Sequence, residues 1–407
     1  MTKGGFKTQI SLGEAQRLAL SLAAETGDEE VSLDDASSRV LSLDVVAGLD
    51  NPPFDRAMMD GYAVVAKNTF GASSTNPVAL KVVGAVSTGD SPALSLASGE
   101  AIKIMTGAPI PKGADAVVKV EYTEELKGVV EVFEAVAPGK NISPAGEDIK
   151  KGAVLLKKGR VLRPHDTGVL AAIGRVKVLV KSRPRVKIAS TGAELIEPGE
   201  RLKPGSIYDI NTYTLSALLK AVGGTPLHQG IIRDDEKSLI DLIRSPDWDV
   251  LLISGATSVG EKDFVPGVVE RLGRIVFHGV SIRPGGPVGF GVASDKPVFM
   301  LPGFPVACIT AFELLVTPFI QKMLGTDITS PHPIVEGILD KAIPSEPGRV
   351  DFVRVKVHAK KGVWNVTPIA SKGAGLITTL SKADGFVLVD EKKEGVEAGE
   401  RVMVHLF

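Results

Sequence analysis

The sequence predicts a multidomain chain of the α/β plus β class. Its expected parts are a central α/β/α layer on a parallel sheet, a β-rich N-terminal lobe and a small C-terminal β-barrel. Three observations predict it. Strand and helix patterns alternate between residues 186 and 324, as expected of a mainly parallel sheet with right-handed crossovers and helices on both faces. Residues 31–180 instead carry short β-branched runs broken by Gly, Pro and Asp, as at 79–86, 101–104, 116–120 and 129–133. Beyond Ser330-Pro331-His332-Pro333, which reads as a linker, residues 334–407 show short alternating strands such as 351–357 and 386–389. They suit a small barrel or sandwich.

Taken in order, Ser11-Leu12-Gly13-Glu14 resembles a capping box. Leu12, Ala15, Leu18, Ala19 and Leu22 follow at helical spacing, with Gly27 as the stop. Arg183-Pro184-Arg185 marks a boundary. After it, 212–222, 236–245 and 265–272 read as helices, 226–232, 250–253 and 275–282 as strands, and 305–324 as a long helix. The expected division is 1–50 with 139–180, then 51–138, 181–327 and 328–407. No repeat or low-complexity tract interrupts it.

At 407 residues the chain exceeds what one core fills. Its 44% apolar and 23% charged residues are ordinary for a folded soluble protein. A formal charge of −1 argues against a nucleic-acid or membrane-surface binder, since both require a basic excess. The single cysteine, Cys308, cannot form an internal disulfide and sits in an apolar run, so a buried structural thiol in a reducing cytoplasm is expected. The first ten residues lack a signal-peptide core, and no apolar run is expected to reach bilayer length. The six histidines show no zinc-like spacing, and neither a Walker loop nor a Gly-x-Ser-x-Gly elbow is present.

Three strands run into small-residue loops that carry or approach charge. Residues 186–189 enter Ser190-Thr191-Gly192-Ala193-Glu194, residues 250–253 enter Ser254-Gly255-Ala256-Thr257-Ser258-Val259-Gly260-Glu261-Lys262-Asp263, and residues 298–301 enter Pro302-Gly303-Phe304-Pro305. Loops at the carboxyl ends of parallel strands line the ligand crevice of an open α/β sheet. Glycine and serine there let backbone N–H groups approach an anion. Glu194, Asp209, Asp234, Asp235 and Asp263 fall at or soon after strand ends, or at loop–helix junctions. Several acids on one rim repel unless they share a cation, and Mg²⁺ suits one or two carboxylates plus substrate phosphates. Asp235 reads better as the cap of the helix that follows. Arg283, in Ser281-Ile282-Arg283-Pro284, either grips an oxyanion at the rim or is a surface arginine before a proline turn. The turn at 302–305 leads into a helix whose first amides form an anion site.

The β-rich lobe contributes three further loops: Asp60 in Met59-Asp60-Gly61-Tyr62-Ala63, Thr106 in Met105-Thr106-Gly107-Ala108-Pro109, and Asp148 in Gly146-Glu147-Asp148. Taken singly, each has a plain reading, namely a hairpin with Asp60 capping its own backbone, a β-turn at Thr106 and a solvated acidic loop.

Together these loops resemble the MoeA family, the molybdopterin molybdenumtransferases, which include the gephyrin E domain. Five motifs stand in the family's order: Pro53-Phe54-Asp55 through Ala63; Met105 to Pro109; Gly146-Glu147-Asp148; Ser190-Thr191-Gly192-Ala193-Glu194-Leu195; and Leu301-Pro302-Gly303. The resemblance implies a MogA-like central domain and an elongated homodimer whose cleft lies between the α/β domain of one subunit and the second domain of the other. It implies insertion of molybdate, or tungstate, into adenylylated molybdopterin with release of AMP and dependence on Mg²⁺ or a similar cation. A MogA-like partner enzyme is implied as well. Carried over by position, Asp60, Thr106, Glu194 and Asp263 would be catalytic, and Asp60, Glu194 and Asp263 would hold the cation. Asp148, Asp234, Ser254, Gly255, Ser258, Arg283, Pro302, Gly303 and Thr379 would bind substrate.

The chain departs from the family pattern at Ala256, at Phe304, and at Gly279 and Gly286, where the family commonly carries lysine. The missing lysines favour a second reading, a non-catalytic scaffold of the same fold that dimerises and binds a partner peptide, whereas the retained Asp60, Thr106, Glu194 and Asp263 favour the enzyme. A third reading, a nucleotide pyrophosphatase built on a related α/β domain, conflicts with the β-rich first 180 residues.

Overall fold

The computed structural model describes residues 9–91, 94–232, 235–255, 264–326, 331–360, 362–369 and 373–407. A six-stranded sheet forms its centre, in the order Thr225–Ile232, Arg185–Thr191, Val250–Ser254, Lys296–Leu301, Gly289–Ala293 and Gly273–His278. The first four strands are mutually parallel. Gly289–Ala293 is antiparallel to both its neighbours, so Gly273–His278 again runs with the parallel set. Helices cover both faces, which is why Val250, Leu251, Leu252 and Ile253 are all fully buried and the strand reads as an unbroken apolar run.

On one face lie Asn211–Ala221, the helical run beginning at Pro305, and the N-terminal helix Leu12–Leu20. Glu236–Arg244 and Val265–Leu272 lie on the other. Ser11 caps the N-terminal helix by accepting from the Glu14 N–H at 3.2 Å. Leu12, Ala15 and Ala19 pack into the same cluster as Phe319 and Ile320, so this helix belongs physically to the α/β layer although the β-rich lobe follows it in sequence.

The segment 305–323 corrects one expectation. Its 19 residues are long and apolar enough to cross a bilayer, yet 89% of the apolar window is buried in protein, as befits a core helix. It comprises Pro305–Ala311, a π-turn at Phe312–Val316, and Thr317–Met323.

The β-rich lobe holds a second six-stranded sheet, ordered Ala116–Lys119, Gly61–Val64, Glu100–Ile104, Val78–Val86, Val129–Val132 and Thr123–Leu126. The hairpin reading of Asp60-Gly61 fails here. Gly61 opens a central strand flanked by Glu100–Ile104 and Ala116–Lys119, and a Cβ there would lie 1.8 Å from the Val118 carbonyl oxygen. Glycine is required by close backbone approach.

At the C-terminus, Val350–Lys360, Val363–Pro368, Ile334–Leu339, Arg401–Leu406 and Gly385–Val389 pair in turn, and the last returns to the first. Five strands thus close a barrel and leave no open edge. A short strand from the α/β part, Ile282–Arg283, pairs in parallel with Val350–Asp351 and stitches the barrel to the central rim. The expected linker is also pinned: His332 bonds Glu313 at 2.9 Å and the Leu406 carbonyl at 2.9 Å.

Candidate active site

Two groups of loops carry the candidate residues. In the β-rich lobe, segments 51–60, 105–111 and 139–149 interlace through backbone bonds. The Ala57 N–H donates to the Ala108 carbonyl at 2.9 Å, the Gly107 N–H to the Ala57 carbonyl at 2.8 Å, and the Met58 N–H to the Asn141 carbonyl at 2.9 Å. This weave brings Asp60 and Thr106 together. Thr106 donates its N–H and its hydroxyl, each at 2.7 Å, to Oδ1 of Asp60. These bonds hold the Asp60 carboxyl below the usual carboxylate range, the backbone donor contributing most. Thr88 steadies the pair by donating its hydroxyl to the Thr106 carbonyl at 2.9 Å. Asp60 and Thr106 are both exposed.

Asp148 lies on the same woven rim, exposed, accepting from the Asn51 side chain at 3.3 Å. Its neighbour Glu147 is engaged instead by the Ser143 hydroxyl.

The second group lies at the carboxyl ends of the parallel strands. Glu194 is exposed, and its side chain makes no hydrogen bond or ion pair among the described residues. Gly255 is held with φ of 92°, and a Cβ there would meet the Thr191 carbonyl oxygen at 2.3 Å. A Cβ on Gly303 would come within 3.3 Å of the Gly255 Cα, so the two strand-end loops leave little room for a side chain between them. Ser254, by contrast, is 1% exposed and its hydroxyl accepts from Asn211 at 2.6 Å, inside the protein. Pro302 is buried as well, leaving Gly255 and Gly303 as the accessible part of this rim. Arg283 is exposed and makes no side-chain hydrogen bond or ion pair among the described residues.

Asp235 and Cys308 take the places expected of them, whereas Asp209, Thr379 and the first amide of the helix after Pro305 do not. Asp235 accepts from the Ser238 N–H at 2.8 Å and caps its helix. Asp209 is 2% exposed and accepts from the Ser190 hydroxyl and the Thr212 N–H, each at 3.1 Å, so it braces the helix start. The Val306 N–H, the first available amide of the helix after Pro305, is taken by the Ala374 carbonyl at 2.9 Å. Thr379 is buried and donates its hydroxyl to the Leu376 carbonyl at 2.7 Å. Cys308 is fully buried, which pushes its thiol up to about 12 and makes it inert. Asp234, Ser258 and Asp263 lie outside the described residues.

Gly279 and Gly286 are structural. Gly279 has φ of 106°, and a Cβ on Gly286 would lie 3.2 Å from the Ile282 carbonyl oxygen and 3.3 Å from that of Val280. The residues missed in the sequence are Asn211, Thr88 and Asn51. All three act on backbone or on another side chain, and a single sequence carries no periodic signal for that.

Among the described residues no hydrogen bond or ion pair joins the Asp60 group to the Gly255–Gly303 group within one chain. Nor do three or more His, Cys, Asp or Glu cluster there to hold a metal unaided. Single exposed carboxylates fit a cation that substrate phosphates help to coordinate, and do not fit a closed protein cage.

Comparison with known proteins agrees along the whole chain. Residues 10–174 match the model of the MoeA N-terminal region (domain I and II), residues 187–322 that of a probable molybdopterin binding domain, and residues 336–407 that of the MoeA C-terminal region (domain IV). A putative molybdopterin biosynthesis protein of Methanocaldococcus jannaschii is 40% identical over 99% of both chains. The molybdopterin molybdenumtransferase of Bacillus subtilis is 36% identical over 98% of this chain and 95% of its own. A crystal structure of a molybdopterin biosynthesis MoeA protein from Pyrococcus horikoshii superposes with a TM-score of 0.85 at 36% identity, covering 98% of this chain and all of that one. With relatives this similar over nearly its whole length, the chain belongs to the MoeA family of molybdopterin molybdenumtransferases.

Proposed function

We propose that this chain performs the metal-insertion step of molybdenum cofactor synthesis. It would take adenylylated molybdopterin and molybdate, or tungstate, place the metal at the dithiolene and release AMP. The observation that carries the reading is the Asp60–Thr106 unit. One carboxylate oxygen receives both Thr106 donors, which keeps the group ionised and oriented while Oδ2 remains available.

In this reading Asp60, Glu194 and Asp263 hold a divalent cation such as Mg²⁺, which would offset phosphate charge as the phosphoanhydride is cleaved. Gly255, Gly303 and Arg283 face the phosphates or the oxyanion. Asp148, Asp234 and Ser258 complete the substrate surface, and Ser254, Pro302 and the buried Thr379 support it from within. Because no hydrogen bond or ion pair among the described residues joins the two groups within one chain, we take the working site to be composite. We assign its second half to the partner in a homodimer that acts in the cytoplasm, supplied by a MogA-like enzyme.

The scaffold reading draws on Gly279 and Gly286, where the family's lysines are missing. The two readings separate in one assay, AMP release by Asp60→Ala and Glu194→Ala. The enzyme reading expects a loss of 100-fold or more in each; wild-type rates in both would refute these assignments.

A further inference from the structure

We infer that Asn211 is a positioning residue for the anion-facing rim, setting the spacing between the Ser254–Gly255 and Pro302–Gly303 loops. This inference rests on the function proposed above. Asn211 opens the helix Asn211–Ala221 and is 8% exposed. Its side-chain amide donates to the Ser254 hydroxyl at 2.6 Å and to the Gly303 carbonyl at 2.8 Å. One planar group therefore ties together the ends of two adjacent parallel strands, where Ser254 pairs with Leu301.

The orientation of that amide follows from its partners. A reversed amide would set Oδ1 against the Gly303 carbonyl, acceptor facing acceptor. With both N–H groups spent on the loops, Oδ1 stays buried without a partner among the described residues. A buried acceptor left unpaired is costly, and stability alone would favour a side chain that avoids it. The cost is explained if the loops must be held in register.

The loops have no slack. The Gly255 N–H donates to the Leu301 carbonyl at 3.0 Å, and a Cβ added to Gly303 would lie 3.3 Å from the Gly255 Cα. Releasing the Asn211 clamp would let the Gly303 turn drift from Gly255, and the groups that face the ligand are the backbone atoms of these two residues. Ångström-scale displacement of positioned donors weakens oxyanion binding strongly.

The test is AMP binding by isothermal titration calorimetry on the full chain, comparing wild type with Asn211→Ala and Asn211→Asp. The aspartate keeps the shape and removes both donors. Ser216→Ala serves as the control, because Ser216 is buried on the same helix and bonds Thr212 and His228 instead of the loops. The inference expects AMP affinity at least 10-fold weaker in both Asn211 variants, native circular dichroism, and wild-type affinity in Ser216→Ala. Unchanged affinity in the Asn211 variants, or an equal loss in the control, would overturn it. Unfolding of Asn211→Asp would assign the residue to folding and also overturn it. Failure of the wild type to bind AMP would refute the functional reading itself and the inference with it.

Discussion

Thr106 gives both its backbone N–H and its hydroxyl to a single oxygen of Asp60, at 2.7 Å each. Because these donors lower the Asp60 pKa, the ionised form persists to lower pH than for an ordinary carboxylate, and activity that needs it is lost as pH falls through the lowered value. Thr106→Val deletes only the hydroxyl and leaves the larger backbone contribution. We expect the acid limb of the pH–rate profile to move modestly to higher pH and kcat/KM to fall about 10-fold, within the range of one lost charge-assisted hydrogen bond. An unmoved acid limb would separate Asp60 from the rate.

In the proposed composite site, Gly255 belongs to the second half. Gly255→Ala should cost about 1–3 kcal/mol, since φ is 92° and the added methyl would lie 2.3 Å from the Thr191 carbonyl oxygen. Denaturant unfolding reads the stability, and AMP release should fall with it as the two loops part. A variant of wild-type stability would show that the strand-end loops are looser than described.

The ring of His332 has both nitrogens facing acceptors, Glu313 and the Leu406 carbonyl, so both contacts are satisfied when the ring is the doubly protonated cation. Burial opposes that charge, but the Glu313 carboxylate and the carbonyl outweigh it, and the net pKa is raised above 6.5. The sign follows. The contribution to stability is complete below the unfolded value near 6.5 and is lost as pH rises through the raised folded value. Melting temperature measured from pH 5 to 9 should decline across that window in the wild type. In His332→Gln the decline should be flatter and the overall stability lower, because Glu313 is left buried without a cation. Parallel curves would remove His332 from the linkage.

Lysine placed at Gly286 or Gly279 should not add charge without cost. Gly286→Lys sets a Cβ against two carbonyl oxygens at 3.2 and 3.3 Å, and Gly279→Lys forces a side chain onto φ of 106°. Each should lose about 1 kcal/mol or more in denaturant unfolding. A gain in stability from either would mean that these glycines are incidental to the backbone path.

The alternation of apolar strands with 3.6-periodic helices between residues 186 and 324 was readable because each element repeats its own signal. Val265–Leu272 forms at the expected bounds, and the others shift by a few residues. The expected strand 275–282 ends at His278, where the chain turns through Gly279 toward the barrel, a tertiary demand with no local signature. Motif residues with chemistry of their own, Asp60, Thr106 and Glu194, were readable as types in small-residue loops. Asn211 and Thr88 were not, because each matters through the particular backbone atoms it reaches. The membrane-length helix at 305–323 shows the converse: its apolar composition records burial in a core.

The most direct test is to incubate the purified chain with adenylylated molybdopterin, Mg²⁺ and either molybdate or tungstate, following AMP release and metal retained on the pterin. The proposed function predicts AMP release that requires the oxyanion and the divalent cation, matched by metal retained on the pterin in equal amount. Oxyanion-independent hydrolysis, or no AMP release while substrate remains bound, would contradict it.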